Sequence, residues 1–151
     1  KRGVTMKEKT CCFTGHRTIP PAILPKLSAE LESTLLLLIQ RGFRYFGAGG
    51  ALGFDTLCAE TVLRLKAQFP HIRLILVLPY LNGAMPAEGY DETVYPPLES
   101  VPPAIRYFAQ NEWMIQRCDV LVAYVTHGWG GAARTLAYAR KKKKTILAYG
   151  E

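Results

Sequence analysis

The chain has 151 residues, 49% of them hydrophobic and 21% charged, a balance that suits one soluble globular domain with a sizeable core and leaves little room for a second. Its 19 basic and 12 acidic residues give a net charge of +7, which admits a polyanionic partner without requiring one. The longest apolar runs, 35–39 and 120–125, are far shorter than the ~20 residues needed to cross a bilayer. Residues 1–9 are polar with no apolar segment behind them, so a cytoplasmic protein is the expectation.

The first strand is expected at Thr10 to Phe13, ending in the turn Thr14-Gly15-His16-Arg17. Cys11 and Cys12 are adjacent in it and should point to opposite faces of a sheet. With Cys58 and Cys118 they form no Cys-x-x-Cys pair, which disfavours a zinc ribbon or a thioredoxin-type site and favours buried, reduced thiols. A helical pattern runs from Ser28 to Gln40, with Ser28 as the expected cap, Glu30 and Glu32 in the first turn, and Gly42 as the stop. Phe43 to Ala48 reads as the second strand.

That strand runs into Gly47-Ala-Gly-Gly-Ala-Leu-Gly-Phe-Asp55, four glycines in nine residues, directly before a helical pattern from Thr56 to Phe69. Glycine weakens regular elements by roughly 0.5–1 kcal/mol, so such density needs another reason. A glycine loop at a helix start lets the backbone approach an anion closely and aims N–H groups at it. Its spacing differs from the Gly-x-Gly-x-x-Gly of dinucleotide dehydrogenases, and it follows the second strand rather than the first, which argues against hydride transfer.

Ile72 to Leu78 is a nearly continuous apolar run, as expected of a parallel strand covered on both faces. Residues 81–104 then carry five prolines and read as a long irregular connection with one short helix near Asp91 to Tyr95. A loop of that length in a compact domain is usually functional or mobile. Helix is expected again over Ile105 to Arg117, strand over Val120 to Val125, helix over Ala132 to Lys142, and a last strand over Thr145 to Ala148. The basic run Arg140 to Lys144 falls where a helix should end, which the helix dipole favours on its own; a nucleic-acid patch is the competing reading.

Five strands alternating with four helical segments predict an α/β, Rossmann-like three-layer sandwich whose mostly parallel sheet has the order 3-2-1-4-5. Residues 1–151 form one domain in this reading. The glycine turns at 14–17, 47–55 and 126–131 would then meet at the carboxyl ends of the strands, where open parallel sheets bind ligands.

Several ordered motifs carry a family resemblance. Thr14-Gly15-His16-Arg17, Gly49-Gly50-Ala51-Leu52-Gly53-Phe54-Asp55 with Ala59-Glu60, Asn111-Glu-Trp-Met114 with Asp119, and Gly130-Gly131 with Tyr138-Ala139 together resemble the YpsA-like branch of the SLOG superfamily. The resemblance spans nearly the whole chain. It implies a Rossmann-like fold and a nucleotide or nucleotide-derived ligand, such as ADP-ribose or NAD, and for this branch it implies no catalysis. The superfamily also includes DNA-processing protein A and the Lonely Guy phosphoribohydrolases. The chain departs from these patterns at Ala132, where a Thr often follows the glycines, and at Gln110, where an Arg often precedes the Asn. The run after Gly131 lacks the catalytic Glu of the phosphoribohydrolases.

Position and resemblance together nominate Thr14, Gly15, His16, Arg17, Gly49, Gly50, Gly53, Asp55, Tyr80, Asn111, Gly128, Trp129, Gly130 and Gly131 as ligand-binding residues. Arg17 can grip a phosphate bidentately. Asp55 either caps its own helix or binds a ribose hydroxyl, and Asn111 either contacts base or ribose or makes a structural hydrogen bond. Tyr80 either stacks on a base or packs as a loop tyrosine, whereas Trp129, between glycines, is hard to bury and suits covering a ligand or a partner. Trp113 reads as core. No second ligand at suitable spacing accompanies His16, so no metal is expected. A nucleotide-binding or sensing module leads. The first alternative, hydrolysis of an N-glycosidic or phosphoanhydride bond, needs a carboxylate in the cleft, with Glu60, Asp55 and Glu112 as candidates and Glu60 a weak one. The second is single-stranded DNA binding through Lys141 to Lys144. A homo-oligomer is left open.

Overall fold

The structure, a computed structural model, describes residues 10–78 and 89–150. In chain order the elements are β1 (Thr10–Gly15), α1 (Leu24–Gln40), β2 (Tyr45–Ala48), α2 (Phe54–Lys66), β3 (Arg73–Val77), β4 (Glu92–Val94), a 3-10 turn (Pro103–Ile105), α3 (Arg106–Arg117), β5 (Val120–Tyr124), α4 (Gly131–Lys141) and β6 (Thr145–Tyr149). The sheet order is β4-β3-β2-β1-β5-β6, and each pairing is parallel. The expected 3-2-1-4-5 order therefore stands for the five expected strands, which are β3-β2-β1-β5-β6, with β4 added at one edge.

That edge strand corrects the helix expected near Asp91 to Tyr95. Glu92–Val94 pairs with Ile75–Val77. Asp91 locks its start: its N–H donates to the Leu74 carbonyl at 2.8 Å and its carboxylate accepts the Leu74 N–H at 2.8 Å. The Lys66 ammonium holds the same carboxylate. Pro96 and Pro97 follow shortly after and cannot donate to a ladder.

Strand alternation sorts the core into two layers. Cys11, Phe13, Leu74 and Val122 face α1 and α2, while Cys12, Ile75, Val77, Leu121 and Ala123 face α3 and α4. Adjacent Cys11 and Cys12 thus lie in different layers, as strand geometry requires. Every residue of β5 is buried, which is why it reads as an unbroken apolar run. Against the expectation of a start at Ser28, α1 begins at Leu24 with Pro25 in its first turn, where a missing N–H costs nothing. Ser28 therefore lies inside the helix, and Glu32 pairs with Arg64 at 2.8 Å instead of serving the first turn. At the other end Gly42 has φ 96°, and the Phe43 N–H returns to the Leu38 carbonyl at 3.0 Å, closing the helix with a left-handed glycine.

Candidate functional site

A cleft of about 950 Å³ opens where the carboxyl ends of β1, β2 and β5 meet the first turns of α3 and α4. Three close backbone approaches build it. A Cβ on Gly15 would lie 2.5 Å from the Phe54 side chain. At Gly53, φ is +76° and a Cβ would lie 2.2 Å from the Arg17 carbonyl oxygen. The Phe54 N–H donates to the His16 carbonyl at 3.1 Å. The first and second turns are thereby bound to each other, and Gly53 serves that contact rather than lining the cleft.

Asp55 organises the glycine loop from inside. Its carboxylate accepts the N–H of Gly49 at 3.2 Å and of Ala51 at 3.4 Å, so it fastens the loop instead of capping its own helix. Burial pushes its pKa up to about 7, against the lowering effect of the hydrogen bonds from Ala51 and Gly49. No other carboxylate among the described residues lines the cleft. Gln110 ties the same loop from α3. Its buried amide donates to the Gly49 carbonyl at 3.4 Å and to the Val77 carbonyl at the end of β3.

The opposite wall is aromatic. His16 Nε2 accepts the Thr126 N–H at 2.8 Å, which leaves its proton on Nδ1 and favours the neutral ring. Burial and neighbouring His127 both hold its pKa below the usual histidine range. His16 stacks on His127 at 4.1 Å, and His127 stacks on Trp129 at 3.8 Å, with interplanar angles of 16° and 17°. Trp129 ends this column and is 72% exposed. Next to it, Gly130 (φ 92°) starts α4 with no side-chain cap and no acidic residue in the first turn, so the first N–H groups of the helix face the cleft at Gly131 and Ala132. Arg17 lies exposed at the cleft and makes no salt bridge among the described residues.

Of the residues nominated from sequence, Thr14, Gly15, His16, Arg17, Gly49, Gly50, Asp55, Asn111, Trp129, Gly130 and Gly131 line this cleft. Gly53 and Gly128 do not, and Tyr80 lies outside the described residues. Glu60 is exposed on α2, and neither it nor Glu112 lines the cleft. Sequence reasoning missed Gln110, Tyr107 and His127 as cleft residues. For Gln110 there was a signal: it replaces an expected arginine at a position that turns out 2% exposed. His127 could have been suspected only from its place in the same glycine turn as Trp129. Among the described residues, no three His, Cys, Asp or Glu side chains come together as metal ligands.

Fold and cleft define a class: Rossmann-like α/β proteins with a ligand site at the carboxyl ends of a parallel sheet. Within that class, residues 21–93 match the YpsA family, described as the YspA SLOG family. A UPF0398 protein of Halalkalibacterium halodurans is 29% identical over 134 residues, covering 78% of this chain and 69% of that protein. A UPF0398 protein of Brevibacillus brevis is 35% identical over 56 residues, or 37% of this chain and 30% of the relative. Among solved structures, DNA processing protein A from Helicobacter pylori, described for its single-stranded DNA binding mode, superposes with a TM-score of 0.63 at 18% identity, covering 94% of this chain and 65% of that one. The molybdenum cofactor carrier protein of Chlamydomonas reinhardtii gives 0.59 at 20% identity, over 93% of this chain and 76% of that one. The chain is thus similar to the YpsA SLOG family over residues 21–93 and to UPF0398 proteins over most of its length, and it shares the fold of the two solved structures. No helix among the described residues is long and apolar enough to cross a membrane.

Proposed function

We propose that this protein binds a nucleotide or nucleotide-derived small molecule in the cleft and acts as a sensing or carrier module. One observation carries the reading: a single cleft is lined by an uncapped helix start, the exposed Arg17, a buried carboxylate and an exposed indole. Phosphate suits the Gly130–Ala132 backbone and Arg17, since the N–H groups of Gly49 and Ala51 are already taken by Asp55. Asp55 suits a ribose hydroxyl, and Trp129 suits a base, its other face being backed by His127. Fold relatives described as binding single-stranded DNA or carrying the molybdenum cofactor are compatible with a ligand of this chemistry.

Calorimetry and thermal shift against ADP-ribose, NAD and common nucleotides test the proposal. Saturable binding that is lost in Gly50→Asp, which places a carboxylate in the loop, is the expected result. A folded protein that binds nothing on the panel, or that binds equally well with Gly50→Asp, refutes it. The second reading, hydrolysis of an N-glycosidic bond, draws on Asp55, whose pKa of about 7 suits proton transfer at neutral pH. Products from a nucleoside monophosphate panel, followed by mass spectrometry, test it: turnover abolished by Asp55→Asn supports hydrolysis, and no turnover above blank removes it.

A further inference from the structure

We propose that the amino end of the sheet, opposite the cleft, is a binding surface for single-stranded nucleic acid. Strand register places the starts of β3, β2, β1, β5 and β6 side by side, through Tyr45 beside Arg73, Thr10 beside Tyr45, Cys11 beside Val120 and Val120 beside Thr145. Backbone bonds stitch this row together: the Arg73 N–H donates to the Arg44 carbonyl at 2.7 Å and the Asp119 N–H to the Thr10 carbonyl at 2.8 Å. Lys144 Nζ donates to the Cys118 carbonyl at 2.9 Å, which brings the lysine run onto the start of β5. At about 4.8 Å per strand the row is roughly 19 Å long. That length is enough for the backbone of a few nucleotides of an unpaired strand.

Helix dipoles account for part of the charge here, since α2, α3 and α4 all carry basic residues in their last turns. They do not account for Arg44 and Arg73, which belong to strand starts. Lys143 is set apart by its backbone. It has φ 59°, the left-handed position of a helix stop, with its own N–H on the Arg140 carbonyl and the Lys144 N–H on the Ala139 carbonyl. In the same motif α1 uses Gly42. A lysine there accepts backbone strain that a glycine would avoid, and it adds a cation to the row.

The cations are interleaved with aromatic rings. Arg117 lies over Trp113 at 4.1 Å, Lys142 over Tyr138 at 5.6 Å, and Arg44 over Tyr45 at 5.7 Å. Gln116 bridges α3 to α4 by donating to the Tyr138 hydroxyl at 2.7 Å. Guanidinium planes and rings side by side suit unpaired bases as well as phosphates, which distinguishes this surface from one that only attracts an anionic membrane. Of the carboxylates at this end, Asp91 is held by Lys66 and the Leu74 N–H, whereas Asp119 is exposed at the start of β5.

Fluorescence anisotropy with a labelled 20-nucleotide oligothymidylate tests the proposal, with phosphatidylserine vesicles as the competing surface. If about four phosphates are neutralised, affinity falls roughly 50-fold between 50 and 200 mM potassium chloride, from a slope of about −0.7 per phosphate. The triple variant Arg44→Glu, Lys142→Glu, Lys143→Glu is expected to lose at least tenfold in affinity at 50 mM salt, with an unchanged circular dichroism spectrum. Arg17→Ala, in the cleft, is expected to stay within twofold of wild type. Should the triple variant fail to fold, Lys143→Gly, which suits its backbone position, serves instead, with an expected loss of about threefold. The proposal falls if no binding is seen at 50 mM salt, if neither charge variant weakens it, if Arg17→Ala weakens it as much as they do, or if vesicles bind and the oligonucleotide does not.

Discussion

The two ends of this sheet are built from the same elements and treated in opposite ways. At the carboxyl end, α2 and α4 begin at glycines with positive φ and no side-chain caps, and the cleft between them holds one carboxylate, Asp55, with Arg17 exposed at its wall. At the amino end, α2, α3 and α4 finish in basic residues, β3 starts on Arg73, and Arg44 immediately precedes β2. A parallel sheet forces partial positive charge on the first end and partial negative charge on the second. At the amino end, side chains overcompensate the dipoles. At the carboxyl end the dipole of α4 is left uncompensated, which is what a site reserved for an incoming anion requires.

The largest expected effect tests whether the glycines of the cleft end are alike. Gly53→Ala drives a Cβ to within 2.2 Å of the Arg17 carbonyl at a φ of +76°. It should cost about 2–4 kcal/mol, combining overpacking with left-handed strain, measured by urea denaturation. Gly128→Ala meets nothing within 4 Å and should change stability by less than about 0.5 kcal/mol. Equal losses at the two positions would show that the turns do not lock together as described.

Next in size is the pH dependence that Asp55 brings. Its folded pKa of about 7 lies above the ordinary value of 3.8, so the folded state holds the proton more tightly. The contribution to stability is complete below pH 3.8 and is lost as pH rises toward and through 7. The loss amounts to at most about 4 kcal/mol from a rise of about three pKa units. Asp55→Asn keeps an oxygen for the N–H groups of Gly49 and Ala51 and should flatten the profile between pH 4 and 8, which denaturation at several pH values would show. Parallel profiles for the two proteins would remove Asp55 as the source.

The contrast between the ends also explains what could be read from the sequence. Alternating apolar runs and helical patterns marked the inner strands, because strands covered on both faces must be continuously apolar. β4 was not legible: Glu92 and Thr93 are exposed, and three residues show no period. The start of α1 was misplaced because Ser28 offered a better cap than the one used, while Pro25 carried the true signal. Around the cleft, glycine spacing pointed to the turns but not to what holds them. The reach of Gln110 to the ends of β2 and β3, and the stacking of His16, His127 and Trp129, depend on tertiary placement that no local pattern encodes.

The smallest expected effect separates the charge of the amino end from its backbone. Lys143 occupies a left-handed helix stop that α1 fills with glycine. Lys143→Gly removes the strain of a Cβ at φ 59° but adds disorder to the unfolded chain, a smaller opposing term. The net should be a gain of about 0.5–1 kcal/mol in urea denaturation, together with a rise in melting temperature. Polyanion binding should weaken in the same variant, with its salt slope reduced by about 0.7, the share of one phosphate contact. A lysine retained only to complement the dipole of α4 would give neither result: its removal would lower stability and leave the salt slope unchanged. Opposite movements of stability and affinity, from one substitution far from the cleft, are what a surface built for a partner rather than for folding predicts.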